Sequence, residues 1–247
     1  MTDRWAGYLV DYHRAHAGIT EDLLGDTIDH RGRTPYQWVV DAVPAEATTV
    51  LDLACGSAPL ARLLPGRRVV GVDLSAAELA CAGGRGVLLA RAGATALPLA
   101  AGIAGAVVAS MALMLVKPLE DVLAEVARVL QVGGVLVATV PIRDVGSVPF
   151  AAILSVLGQA GIGYPERLDA GVAARFETSG LTLRSDESAL FGRAVRGPDD
   201  AERVVRSFYA PGAGPDRVAA AVALLQARVR SAPVEVSYRI RRLVATK

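Results

Sequence analysis

Thr49-Val50-Leu51-Asp52-Leu53-Ala54-Cys55-Gly56-Ser57-Ala58 is the stretch that decides the fold. A β-branched, apolar run drives into small residues and then into a pattern carried by Leu60, Ala61, Leu63 and Leu64. That is a strand, a tight turn and the start of a helix over about 57–64. A second apolar run, Val69-Val70-Gly71-Val72, ends in Asp73. A nucleotide-like ligand can lie against such a turn, with the acid at the tip of the next strand holding its ribose hydroxyls.

The same strand–helix unit repeats downstream. The second strand spans 68–72, its helix 75–82, and Gly83-Gly84 stops that helix before the strand Val87-Leu88-Leu89-Ala90. A fourth strand is expected over about 105–110. The segment 119–130 is amphipathic, with Leu119, Val122, Leu123, Val126 and Leu130 on one stripe. Gly133-Gly134 then turns it into a fifth strand, Val135–Val140. Continuous apolar strands with helical crossovers predict a parallel sheet covered on both faces.

The flanks read differently. The first 47 residues form a helical cap, with Tyr8, Leu9, Tyr12 and His16 at spacings of three and four. Thr20 is read as the N-cap of a second helix, and Thr34-Pro35 opens a third. Beyond the fifth strand, helices are expected at 148–157 and 168–178, with strand pieces at 181–184 and 188–192. Two helices at about 199–209 and 215–230 follow. Val234-Glu235-Val236-Ser237-Tyr238-Arg239-Ile240 then alternates as a half-exposed last strand. The expected domains are a cap over 1–47 and a core over 48–247, with a helical insertion at about 197–232.

Composition excludes several classes. The chain has 247 residues, 52% apolar, with a formal net charge of +1. That balance gives no field for nucleic acid or an anionic membrane. Residues 92–116 carry no charge, but Gly93, Pro98, Gly102 and Gly105 break them into a loop and a buried strand. No signal peptide is expected from the first residues, and two cysteines make no disulfide framework, so a cytoplasmic setting is expected. His13, His16 and His30 all precede the first strand, and no metal site is expected from them. The turn lacks the G-x-G-x-x-G of nicotinamide dehydrogenases, and no phosphate-binding G-x-x-x-x-G-K-[ST] or G-x-S-x-G elbow occurs.

Val50–Gly56 followed by Val70–Ser75 resembles the class I S-adenosylmethionine-dependent methyltransferases, in particular the group that methylates small molecules. Leu97-Pro98 and the run from Val129-Leu130 through Gly133-Gly134 to Val137 fit the same resemblance, which spans about 48–141. It implies a Rossmann-like α/β fold: a mostly parallel seven-stranded sheet whose last strand is antiparallel. It implies S-adenosyl-L-methionine as cofactor. Asp52 would meet its ammonium, Asp73 its ribose hydroxyls and Leu74 one adenine face. Ala54 and Gly56 would admit the backbone close to it, Gly93 and Ala94 would offer backbone groups to adenine, and Ser110 and Met111 would lie near the sulfonium. The family commonly has acids near positions 93 and 105, and this chain has glycine at both. No Asn-Pro-Pro-Tyr-like element follows the fourth strand, which argues against amino-group methylation of bases or glutamine.

The expected activity is methyl transfer to a small, fairly apolar acceptor by a monomer or homodimer. His13 and His16 are the candidate general bases, three residues apart on one helix. Tyr8, Tyr12, Tyr36 and Trp38 are candidates for an acceptor wall. A noncatalytic cofactor-binding or interaction protein, or an enzyme using the cofactor without methyl transfer, stands as the alternative.

Overall fold

The computed structural model describes residues 4–142, 146–158, 166, 168 and 171–247. Three helices come first: α1 (Arg4–Ala15), α2 (Ile19–Gly25) and α3 (Pro35–Val40). The sheet then builds through β1 (Thr49–Leu53), β2 (Arg68–Asp73), α4 (Ala76–Ala82), β3 (Leu88–Arg91), β4 (Ala104–Ser110), α5 (Leu119–Val129) and β5 (Leu130–Pro141). The rest comprises α6 (Val148–Val156), α7 (Val172–Thr178), β6 (Thr182–Val195), α8 (Pro198–Arg206), α9 (Pro215–Val229) and β7 (Val234–Thr246).

The seven strands run in the order β3-β2-β1-β4-β5-β7-β6. The first five are parallel, and β7 is antiparallel to both β5 and β6. Neighbouring residues of one strand feed opposite faces: Val50 packs into one apolar cluster and Leu51 into the other. Helices cover both faces, so these strands read as unbroken apolar runs. The strand order reverses between β1 and β4. Their carboxyl ends therefore open the crevice in which α/β sheets hold ligands.

Several expectations shift. The helix expected at 57–64 is a five-residue 3-10 helix, Pro59–Leu63, preceded by Ala58 in the left-handed region. Pro65 restricts Leu64 and ends it. The N-cap of α2 is Gly18, not Thr20, because a left-handed Gly18 (φ 82°) reverses the chain straight after α1. Gly133-Gly134 lies within β5 instead of ahead of it, since Gly133 N donates to Lys247 O and Lys247 N to Gly134 O. The two strand pieces at 181–192 are one strand, β6, and it forms the sheet edge. β7 is accordingly interior and runs on to Thr246, with Val236, Ile240 and Leu243 fully buried. Of the helix expected over 168–178, α7 is observed from Val172, and residues 169 and 170 lie outside the described residues.

Two architectural facts position the site. α1–α3 precede β1, and α8 and α9 lie between β6 and β7. Gly105 at the start of β4 sits under the link from α3 to β1: a Cβ there would stand 3.0 Å from Ala47 Cα. The acid common near this position in the resembling family has no room. At Gly93 a Cβ would meet nothing within 4 Å, so packing does not explain that glycine.

Candidate active site

The turn after β1 alternates left-handed residues: Ala54 (φ 53°), Gly56 (φ 54°) and Ala58 (φ 56°). Two of these are alanines, whose Cβ makes that region costly, and such strain concentrates at binding sites. The turn is pinned from β2. Cys55 N donates to Val72 O at 3.1 Å, and Gly56 N donates to Asp73 Oδ2 at 2.8 Å. Asp73 Oδ1 accepts from Ser75 N at 2.7 Å, the residue that caps α4. Asp73 thus fixes the turn and keeps further lone pairs for a ligand. Burial raises its carboxyl pKa, and the two backbone N–H bonds oppose that shift.

Asp52 lies one strand over, 2% exposed. Burial first, and the Asp73 charge second, push its pKa up to about 8. Its Oδ2 is buried with no hydrogen-bond partner. An unpartnered buried acceptor beside a second carboxylate fits a cationic group. The ammonium of S-adenosylmethionine is such a group, and the Asp73 carboxylate fits its ribose diol. On this test the residues suit the cofactor.

Met111, just past β4, is the third non-glycine residue in the left-handed region (φ 54°), held by Met111 N donating to Thr139 O at 2.9 Å. Ser110 and Met111 line the same cavity as Asp52 and Asp73. Leu74 is 52% exposed, beside the half-buried Gly93 and Ala94, because Ala92 N donates to Asp73 O and Arg91 Nε to Leu74 O. Cys55 packs its Sγ against Gly71, and burial pushes its thiol pKa up, so it is a wall of the turn and a poor nucleophile.

The cap closes over this crevice. Glu21 of α2 accepts from Ser57 Oγ, Arg62 and Arg85, tying the cap to the first turn and to the end of α4. His13 of α1 reaches Glu78 of α4 through Nδ1 at 2.8 Å, and Tyr209 through Nε2 at 3.1 Å. With the cap so placed, the cavity holds about 90 Å³. Pockets for drug-sized ligands run to about 300–1,000 Å³, so this cavity is smaller than such a ligand occupies. A larger groove of about 720 Å³ lies along β6 by Ile28, His30 and Arg193, away from the turn, and none of the sequence-derived cofactor or catalytic candidates lines it.

The structure separates the two histidine candidates. His13 lines the cavity; His16 is outside its lining, against Tyr12 with ring centroids 5.1 Å apart. His16 follows the end of α1, its N still donating to Tyr12 O at 2.9 Å. Trp38 also moves out of the acceptor wall: it is 3% exposed, packed on Phe191 and covered by Arg242. Tyr36 does line the cavity, and Tyr8 and Tyr12 join Trp5 and Tyr209 in an aromatic cluster above it. Sequence reading missed Glu21 and Glu78, and placed Tyr209 only at the edge of the 197–232 insertion. Both acids lie in the first turn of their helices, and nothing local marks a contact across 65 or 196 residues.

The fold is a Rossmann-like α/β core with a crevice at the β1 turn. Residues 51–138 match the methyltransferase-domain family. No curated protein matches the chain. A Haloferax volcanii methyltransferase, solved with the Trm112 activator, superposes with a TM-score of 0.61 at 15% identity over 96% of each chain. Phosphoethanolamine N-methyltransferase 2 of Haemonchus contortus, solved with S-adenosylhomocysteine and phosphomonomethylethanolamine, gives 0.60 at 16% identity over 97% of this chain and 59% of that one. The (4+2)-cyclase SpnF gives 0.58 at 18% over 86% of this chain and 79% of that one. At such identities the likeness establishes the fold. The chain thus carries a methyltransferase-domain match over residues 51–138 on a fold shared with these structures. Among the described residues, no helix is long and apolar enough to cross a membrane, and no group of three or more His, Cys, Asp or Glu is placed to hold a metal.

Proposed function

We propose that the protein methylates a small, fairly apolar acceptor, and that the N-terminal cap of 1–47 and the insertion at about 197–232 enclose that acceptor. The observation that carries the reading is Asp52 Oδ2, buried and partnerless beside Asp73. In this reading Asp52 takes the cofactor's ammonium and Asp73 its ribose hydroxyls. Leu74 packs on adenine, Gly93 and Ala94 offer it backbone groups, and Ala54 and Gly56 let the ligand approach the backbone. Ser110 and Met111 border the reacting methyl group. The cofactor supplies an electrophilic methyl on a sulfonium. The chain's part is to align an acceptor, exclude water and take a proton where one must leave. His13 is the candidate base; His16, outside the cavity lining, drops from that role. The aromatic cluster of Trp5, Tyr8, Tyr12 and Tyr209 supports an apolar acceptor. The near-neutral charge supports a small molecule over nucleic acid. Two free thiols, one exposed, support a reducing, cytoplasmic setting.

Calorimetry with S-adenosylmethionine and S-adenosylhomocysteine tests the reading first, and transfer of a labelled methyl group to a panel of small acceptors tests it second. Saturable binding and a methylated product are expected. Folded protein giving no binding heat at millimolar ligand would remove the reading. Gly93 and Gly105, where the resembling family commonly has acids, favour one other reading, a cofactor-binding protein without turnover. Binding without any labelled product across the panel would favour it.

A further inference from the structure

We infer that Glu78, His13 and Tyr209 form a hydrogen-bonded relay that presents the Nε2 lone pair of His13 to a phenolic hydroxyl, and that the acceptor is an aromatic hydroxyl compound which takes the place of the Tyr209 side chain. The inference rests on the methyl-transfer reading above and narrows its acceptor. A carboxylate only accepts hydrogen bonds. Glu78 accepts Gly18 N through both oxygens, at 3.3 and 3.2 Å, and its Oε1 stands 2.8 Å from His13 Nδ1. Its side chain is 4% exposed, so it is held in one orientation. Facing an acceptor, Nδ1 carries the proton. Nε2 then bears the lone pair, and the Tyr209 hydroxyl donates to it at 3.1 Å.

The position of that phenol is the informative part. Its ring lies in a box of aromatic rings, 4.8 Å from Tyr12, 5.8 Å from His13 and 6.3 Å from Trp5 by centroid. Tyr209 also lines the cavity that holds Ser110 and Met111. A phenol ring with its hydroxyl on an oriented imidazole is thus already the occupant this box fits. Tyr209 is followed by Pro211 and by Gly212 in the left-handed region (φ 87°), in the connection between α8 and α9. Displacing Tyr209 would leave α8 and α9 intact but break the bond that Ala210 N donates to the Tyr8 hydroxyl at 2.8 Å.

The step balances simply. The acceptor O–H proton passes to His13 Nε2 as the acceptor oxygen forms its bond to the methyl carbon. The electron pair of the broken carbon–sulfur bond stays on sulfur, and the imidazolium then returns its proton to water. Glu78 acts here as a positioning residue. The other titratable groups facing His13 are Tyr12 on its own helix, Tyr209 from the α8–α9 connection and Asp73 at the end of β2.

Long-range ¹⁵N correlation spectra of the full chain, labelled at histidine, test the relay without turnover. A single Nδ1–H tautomer is expected for His13 in the parent, and a tautomer mixture in Glu78→Ala. In Tyr209→Phe the Nε2 resonance should move as its hydrogen bond is lost. In Tyr209→Gly, 4-methylphenol should restore the parent Nε2 resonance, whereas toluene of the same shape should not. Should that variant fail to fold, 4-methylphenol titrated into the parent loaded with S-adenosylhomocysteine must displace Tyr209 and shift its ring signals. An Nε2–H tautomer in the parent, a Glu78→Ala spectrum identical to it, or equal effects of 4-methylphenol and toluene would overturn the inference. S-adenosylhomocysteine calorimetry on the same samples keeps the two readings apart. Binding with the wrong tautomer removes the relay alone, and absent binding to the parent removes the methyl-transfer reading.

Discussion

Replacing Asp52 with asparagine should stabilise the free protein and weaken its hold on the cofactor. An aspartate carboxyl ordinarily titrates near 3.8; burial, then the charge of Asp73, push Asp52 up to about 8. Between those values the folded chain keeps a proton that the unfolded chain has released. A carboxyl raised in this way contributes its full stability below the unfolded value and loses it as pH rises toward the folded one. The slope is about 1.4 kcal/mol per pH unit, so the loss accumulated by pH 7 is about 4 kcal/mol. Asp52→Asn has no proton to lose and should escape most of it. Urea unfolding from pH 4.5 to 8.5 reads this directly. The parent should weaken steadily with pH, the variant should stay nearly level apart from the contribution of Asp73, and the curves should converge toward pH 4. A positive ammonium beside Asp52 favours the ionised carboxylate. Cofactor binding near neutrality should therefore release a proton and tighten as pH rises toward 8. Calorimetry in buffers of different ionisation heat measures that release, which Asp52→Asn should abolish. Parallel stability curves for parent and variant would show that Asp52 is ionised at the same pH folded and unfolded.

Asp73→Ala removes an acceptor proposed for two ribose hydroxyls, worth about 1.5–3 kcal/mol, so S-adenosylhomocysteine should bind about 10- to 100-fold more weakly by calorimetry. The same change unpins Gly56 N and Ser75 N, so the melting temperature should fall as well, with Asp73→Asn milder on both counts. Gly105→Ala sets a methyl 3.0 Å from Ala47 Cα and should cost about 1–3 kcal/mol in a denaturant titration. A thiol-reactive dye should modify the exposed Cys81 in the native protein and reach the buried Cys55 only on unfolding, seen as one equivalent and then two.

The central sheet was legible in the residues alone. Val50–Leu53, Val69–Val72 and Val107–Ala109 are apolar on both faces, and short-range patterning suffices to mark a strand between two helical layers. The turn was legible too, because small residues between a strand and a helical pattern leave few other local conformations. Asp52 and Asp73 were legible for the same reason: each lies in or at the end of its strand, next to that turn. The tertiary structure decided whatever depends on distant pairing. β6 is one edge strand and β7 an interior one because they pair with each other along their length, a contact that periodicity does not encode. Gly18 caps α2 ahead of Thr20 because the chain must reverse between two helices. His13, and not His16, gained Glu78 and Tyr209 because the cap and the α8–α9 connection bring those side chains to it. Hydrogen bonds between side chains 65 and 196 residues apart depend on packed geometry, and local propensity holds no record of it.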